Sequence, residues 1–455
     1  MRQRFIPFVV FGFLLVLLAE WNAHSGKFAP LNSLSNFWLE FCVSNAGDQI
    51  GDASVTIVRI NDSYEPLTLG DEDPGASDGK LTRLDYATIL GFIAKLNPKS
   101  VAFLPTPTFD ESLVLNQTDI VPLKDAAMQL PKINTAANVS NDGEQAKDMK
   151  PLSFPEIKVE GDPAEVLAFT RTVRIPDPQI LANANPAFKS IESARDLITE
   201  DTIRIPLVAQ YKGKIVPSVV LQAVAHHAGI TPADITLDLT ASPKVRLGEL
   251  REIPILADGT FVLPQRSGVR RGMSGLVYDE EGNATTNLHF TSLTVEELAY
   301  TGGEDDEVAK RILANFQEKF ASISENLVVV GFDRSADRRI ETAQGESLSE
   351  TLLLSRAMAT IQSGRFIDWW PTPLRWFAIL AIAAIAIFLF RLPRSKFIPL
   401  WFVSFLAFFG ICVVIFRVTL TWTPPFFAFA LFGLMLLLGI MIPITKKAET
   451  EEEQE

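Results

Sequence analysis

The chain has 455 residues, 47% of them hydrophobic, and a formal net charge of −13 from 54 Asp and Glu against 41 Lys and Arg. That acidity excludes non-specific nucleic-acid binding. Two cysteines, Cys42 and Cys412, and the lack of a Cys/His cluster exclude a disulfide-built fold and a structural zinc site. No cofactor is expected.

The first predicted element is an apolar run, Phe5–Ala19, behind the basic start Met1-Arg-Gln-Arg4. It is either a signal peptide or an uncleaved anchor. Cleavage after Ala19 would place Leu17 at the minus-three position, and cleavage after Ala23 would place Trp21 there. Neither is small, which favours an anchor over residues 1–20.

Residues 21–368 carry most of the acidity and read as α/β. Val55–Ile60 is a β-branched run ended by Asn61-Asp62, a strand and then a turn. Leu84–Leu96 has apolar residues at helical spacing, with Thr82 as N-cap and Asn97-Pro98 as the stop. Ser100–Leu104 is a strand, Asp119–Leu130 a helix and Ile133–Ala137 a strand. This alternation predicts right-handed crossovers and a mainly parallel sheet. Residues 138–164 are polar and Pro-rich, an expected loop or insertion. Ile203–Ala209 reads as a strand, and Pro217–His227 as a helix with Pro at its first position and Gly229 past its end. Ile253–Leu256 and Thr260–Leu263 flank Ala257-Asp258-Gly259, a hairpin signal. Glu307–Phe320 is an amphipathic helix, Leu327–Gly331 a buried strand, and Leu348–Ile361 a helix that leads past Gly364 toward the next region.

From Trp369 to Ala448 there is no Asp or Glu. Three apolar runs, extended to residues 374–392, 397–416 and 426–444, approach or reach the ~20 residues that span a hydrocarbon core. Trp369, Trp370, Trp376, Trp401 and Trp422 lie near the run ends, as in an aromatic belt. The reading is therefore a membrane region over 369–447 and an acidic tail over 448–455, with no folded domain expected after it. Arg2 and Arg4, then Arg391, Arg394 and Lys396, then Lys446 and Lys447 occupy alternate loops. The positive-inside rule then places both termini in the cytoplasm and 21–368 outside. Cys42 and Cys412 are not expected to pair. The spans hold no carboxylate or His, which argues against a transporter or channel. Gly433 and Gly439 offer close approach to a partner helix, and Thr421–Pro425 a rigid external turn.

The ordered segments Gly51–Gly70, Leu81–Leu104, Val216–Gly229, Arg251–Leu263, Glu325–Thr342 and Leu354–Pro371, framed by one apolar run before and three after, carry a resemblance. Together they resemble the CHASE type 2 extracellular sensor domain of bacterial receptors. The resemblance implies an α/β sensor between one N-terminal and three C-terminal transmembrane helices, binding an unidentified ligand. Family members usually continue into a kinase or cyclase; here the expectation is a separate signalling partner or a heteromer. Leu104-Pro105 stands where the family has an Asp, Asn61 and Asp62 share the place of an acidic residue, and GASDGK replaces a Trp-Pro pair while Arg83 is retained.

Other motifs are weak. Gly75–Leu81 lacks the spacing of a phosphate loop, and Gly272-Met-Ser-Gly275 that of a nucleophile elbow. His226 and His227 end a helix and suit its dipole. His289, Asp110 and Glu111 read as ordinary strand and loop residues. Asn-x-Ser/Thr occurs at Asn61, Asn116, Asn138 and Asn283. A ligand on an open parallel sheet sits beyond the carboxyl ends of its strands. Those ends make Asn61, Asp62, Thr106, Asp333 and Arg334 candidate ligand-binding residues, with Arg83 one loop away, to pair with an anion, Asp62 or Asp333. Internal salt bridges and turn hydrogen bonds explain the same residues. No catalytic or metal-binding residue is expected. The partners expected are the lipid bilayer, an extracytoplasmic ligand and a signalling protein, with a homo-oligomer compatible. The chain thus reads as a non-enzymatic sensor, or alternatively as an envelope scaffold derived from one.

Overall fold

The computed structural model describes residues 2–25, 37–39, 41–42, 54–64, 81–107, 117–141, 152–189, 203–240, 243–263, 277–278, 284–285, 291–299, 320, 323–335, 339–341, 347–370, 372–423 and 425–442. The chain divides into two units: Gln49–Gln265 with Val269–Phe366, and Met1–Asp48 with Arg266–Gly268 and Ile367–Glu455. The first unit is mixed α/β.

Its centre is a seven-stranded sheet. In chain order the strands are β1 (Val55–Ile60), β2 (Ser100–Phe103), β3 (Ile133–Ser140), β4 (Arg171–Arg174), β5 (Ala184–Lys189), β6 (Thr291–Thr294) and β7 (Leu327–Phe332). The spatial order is β6-β1-β7-β2-β3-β4, with β5 also beside β3. Every pairing is parallel except β3 with β4. Chain order and sheet order differ for β6, which lies outside β1, and for β7. Strand β7 enters between β1 and β2, pairing Val55–Ile60 with Leu327–Phe332 on one side and Ser100–Phe103 with Leu327–Val330 on the other.

The central strands are apolar on both faces because helices cover both. Val58, Ile60, Val101, Phe103, Ile133, Val328 and Val330 pack beneath α2 (Arg83–Lys95) and α3 (Gln117–Gln129). The alternate residues of the same strands, Val55, Ile57, Ala102, Leu104, Leu327 and Val329, pack beneath α4 (Val219–His227) and α6 (Glu350–Ser363). Helix α5 (Val295–Ala299) follows β6 directly. Burying each Val or Ile contributes roughly 1.5–3 kcal/mol, which specifies the register on both faces at once.

Local signals set the helix ends. Thr82 caps α2, and Asp85 closes a reciprocal box by accepting from the Thr82 backbone N–H at 2.7 Å. Ser349 caps α6, and Gly364 ends it at φ 70°, a conformation glycine adopts without a Cβ penalty. Arg251 donates to the Ile361 and Gln362 carbonyls in the last turn of α6. Gly331 is required for another reason: a Cβ there would overlap the Thr351 hydroxyl, which donates to Phe332 O at 2.7 Å. This bond holds the first turn of α6 against the carboxyl end of β7.

Several expectations need correction. Pro217 does not begin α4; it ends the strand Lys214–Pro217, and Ser218 is the N-cap, accepting from Leu221 N–H. Residues 203–209 break at Leu207 into Ile203–Pro206 and Val208–Tyr211, because the two halves pair with different strands. The turn at Ala257–Gly259 does not join a hairpin. Arg251–Pro254 pairs with Lys244–Leu247, and Thr260–Leu263 with Ile203–Pro206. Of the expected loop 138–164, Asn138–Ser140 prolongs β3 and Lys158–Glu160 is a strand beside Ile235–Asp238. The expected helix Glu307–Phe320 lies outside the described residues except Phe320, as do Gly75–Lys80, Asp110, Glu111, Asn116, Gly272–Gly275, Asn283 and His289.

The second unit holds α1 (Arg2–Ser25), α7 (Thr372–Leu389), α8 (Arg394–Thr419) and α9 (Phe426–Met441). Helix α8 is long and apolar enough to cross a membrane; the apolar helices Arg4–Leu18, Pro373–Leu389 and Phe426–Met441 are shorter. Ala378, Ile382, Ala386 and Leu389 form one buried stripe of α7, and Phe427, Leu431, Phe432 and Met435 one of α9. The outward faces are apolar too: Val10, Phe13, Phe377, Leu380, Val403, Val414 and Leu437 are each more than half exposed. Gly439 closes on the Phe397 ring of the same chain, whereas Gly433 faces open space. Thr421–Trp422 pairs in parallel with Asp368–Trp369, so the expected turn at 421–425 begins as a short strand. Cys42 and Cys412 are buried free thiols. Trp38 meets Phe409 edge-on at 5.0 Å, which seats the segment before Cys42 on α8.

Candidate functional site

The parallel strands of the central sheet end together, and the loops that follow them gather the polar side chains. At the β1–β7 seam, Asp333 N–H donates to Ile60 O at 3.0 Å and Ser335 N–H to Asp62 Oδ2 at 2.8 Å. Arg59 Nη1 lies 3.4 Å from Asp333 Oδ2. The Arg334 guanidinium sits 4.1 Å above the Phe332 ring. Ser63 Oγ is 2.9 Å from Asn61 Oδ1 and 2.7 Å from Glu296 Oε1, which links the β1 end to α5. Asn61, Asp62, Asp333 and Arg334 are therefore brought together, as their positions after β1 and β7 predict.

Arg83 and Thr106 go elsewhere. Arg83 pairs with neither Asp62 nor Asp333; it holds Asp177 at 3.2 Å, and Asp177 also accepts from Gln179 N–H while its own N–H donates to Pro107 O. The pair fastens α2 to the segment after β4, which Asp177 N–H in turn ties to the loop after β2. Thr106 is buried and donates to Ala136 O at 3.0 Å. Both act here as internal braces of the sheet edge.

Reasoning from sequence missed Arg59, Ser63 and Glu296 at the seam, Asp177 beside Arg83, and Lys189, Glu350, Tyr64 and Asp85. Lys189, at the end of β5, donates to Leu104 O and to Glu350 Oε2, each at 3.1 Å, and joins the β2 end to the first turn of α6. No local pattern connects two residues so far apart in the chain. Tyr64 donates to Asp85 Oδ1 at 3.1 Å; burial and the adjacent carboxylate push the phenol above its ordinary range, so it remains protonated. Asp85 did have a signal, the Thr82-x-x-Asp85 capping box. Three buried atoms at this edge have no hydrogen-bond partner among the described residues: Arg59 Nε, Glu296 Oε2 and Glu350 Oε1. Among the described residues one donor and two acceptors at this edge are thus unmatched.

No family model, curated protein or solved structure matches the chain. The geometry is accordingly the basis for a functional reading.

The opposite end of the sheet is polar in a different manner. Asn134 Nδ2 donates to Val101 O at 3.1 Å, and its Oδ1 accepts from Gln222 Nε2 at 3.3 Å and from His226 Nδ1 at 2.6 Å. A shared acceptor makes Nδ1 the protonated nitrogen of a neutral ring. Burial, aided by Lys132, lowers the His226 pKa to about 4. His227 Nε2 donates to Glu325 O at 2.9 Å, and burial lowers its pKa as well. His226 serves as a neutral hydrogen-bonding group, and at both positions burial disfavours the charged ring that the helix dipole would favour. Among the described residues, no group of three or more His, Cys, Asp and Glu could hold a metal ion.

Proposed function

We propose that the chain is a membrane-anchored, CHASE-like sensory protein without enzymatic activity. Its α/β unit would lie outside the cytoplasmic membrane and bind a ligand at the carboxyl edge of the central sheet. Helices α1, α7, α8 and α9 would cross the bilayer, both termini would be cytoplasmic, and a separate partner would receive the signal. The observation that carries this reading is the placement of α6. Its first turn is fastened to the edge through Thr351–Phe332 and Glu350–Lys189, and its end leads through Gly364 to Asp368 and α7. A ligand that prefers one position of the 333–335 loop would shift α6, and only such differential affinity converts binding into a signal.

Two features support the membrane part. Large apolar side chains point outward along all four helices, as lipid-facing residues do. Arg4 at the start of α1 and Arg394 at the start of α8 both reach carbonyls at the end of α9, so these three ends share one side, as positive-inside topology requires.

The test is a crosslinked pull-down of the tagged full chain from its native membranes, read by mass spectrometry. A kinase, a cyclase or another regulator among the captured proteins supports the sensor. Capture of envelope components alone would sink it in favour of a scaffold. One observation favours that second reading: Arg59–Asp333, Arg83–Asp177 and Lys189–Glu350 already match charge with charge inside the edge. Raised thermal stability of the detergent-solubilised protein with one compound class, lost in Asp62→Ala, would argue against it.

A further inference from the structure

At the end of the helical unit where α1 begins, one charged side chain is buried without a counterpart among the described residues. Arg4 lies in the first turn of α1 and is 1% exposed. Its Nε donates to Ile442 O at 2.6 Å, but Nη1 and Nη2 are buried and have no partner among the described residues. Arg394 donates to Ile440 O, two residues away on the same helix end. Phe8, one turn beyond Arg4, meets Phe390 edge-on at 5.8 Å, and Phe390 stacks on Phe397 at 6.2 Å. These contacts set Arg4 beside the turn between α7 and α8, whose Arg391, Arg394 and Lys396 are exposed.

Among the described residues the charged groups at this site, Arg4, Arg391, Arg394 and Lys396, are all cationic. There is no Asp or Glu before Glu20, nor between Trp369 and Ala448. A guanidinium removed from water costs several kcal/mol unless an anion or a set of acceptors matches it. The α9 carbonyls match one N–H of Arg4, and among the described residues the outer fork is unmet. A planar fork of N–H donors fits the oxygens of a phosphate, and a second arginine beside it reinforces the preference. The depth is also informative. Exposed apolar side chains begin immediately beyond these residues, at Ile6 and Val9 on α1 and at Ile398 on α8. Arg4 and Arg394 thus stand where hydrocarbon gives way to head groups.

We propose that Arg4 and Arg394, with Arg391, bind the phosphate of an anionic phospholipid and so clamp α1, α8 and α9 together on the cytoplasmic side. The proposal rests on the membrane reading above. The acidic residues Glu449 to Glu455 are a second source of anionic oxygens, and the test separates the two.

The full chain is extracted from membranes in mild detergent and titrated with dioleoyl phosphatidylglycerol or dioleoyl phosphatidylcholine, with bound lipid counted by native mass spectrometry. Wild type should retain the glycerol lipid over the choline lipid. Arg4→Lys keeps the charge but loses the fork and should weaken retention roughly tenfold, the size of one charge-assisted pair. Arg4→Gln should abolish the preference, and truncation after Lys447 should leave it intact. Equal retention by wild type, Arg4→Lys and Arg4→Gln overturns the site. Binding that appears only after the truncation assigns the guanidinium to the tail carboxylates instead. Recovery of the chain in the soluble fraction without detergent would end the membrane reading itself, whereas membrane recovery with Arg4-independent lipid binding ends only this proposal.

Discussion

The two ends of the central sheet are polar by different means. The carboxyl end is held by charged pairs between segments distant in sequence: Arg59–Asp333, Arg83–Asp177 and Lys189–Glu350. The amino end is held by neutral groups around Asn134, namely Gln222 and the uncharged imidazole of His226. A neutral network tolerates deep burial, since each donor needs only an acceptor. Charged pairs keep partial access to water, through Arg59, Arg83 and Glu350. The difference teaches that the amino end is built for stability, while the carboxyl end keeps exchangeable polar groups.

The largest effect expected from breaking this contrast comes from Glu350→Ala. It leaves the Lys189 ammonium, with 10% of its side chain exposed, without a carboxylate, and should cost about 3 kcal/mol in denaturant unfolding. Lys189→Met in the same chain should recover most of that loss. If the double variant is no more stable than Glu350→Ala, the pair is not coupled.

A comparable cost, about 2–3 kcal/mol, should follow Gly331→Ala, because the added methyl displaces Thr351 and lifts the first turn of α6 from β7. Pairing it with Thr351→Ala should restore part of the lost melting temperature.

The amino end should respond to acid. His226 titrates near 6.5 when unfolded and near 4 when folded. The unfolded chain therefore binds more protons between those values. Stability is full above about pH 6.5, falls as pH drops toward 4, and has lost on the order of 3 kcal/mol there. His226→Gln keeps a donor for Asn134 and should flatten that slope in unfolding curves taken at neutral and mildly acid pH.

The smallest change is expected for Arg83→Ala, about 1–2 kcal/mol, since the arginine is partly exposed and Asp177 retains its bonds to Gln179 and Pro107. Increased proteolysis of the segment around Asp177 after β4, with unchanged cleavage elsewhere, would show its role as a brace.

What could be determined from sequence was local. Val55–Ile60, Thr82 as a cap, the strand at Leu327 and the end of α6 at Gly364 follow from side-chain period, capping groups and the conformational freedom of glycine. The parallel sheet followed from the alternation of strand and helix, and the clustering of Asn61, Asp62 and Asp333 from the rule that loops gather at the carboxyl ends. Strand order did not follow, because β7 reaches its place between β1 and β2 by hydrogen bonds that any apolar strand of similar length could make. The fate of Arg83 and the bond between Lys189 and Glu350 did not follow either. A charge carries no mark of its partner in the chain, and only packing of segments more than a hundred residues apart brings Lys189 to Glu350 and sets Arg4 against the carbonyl of Ile442.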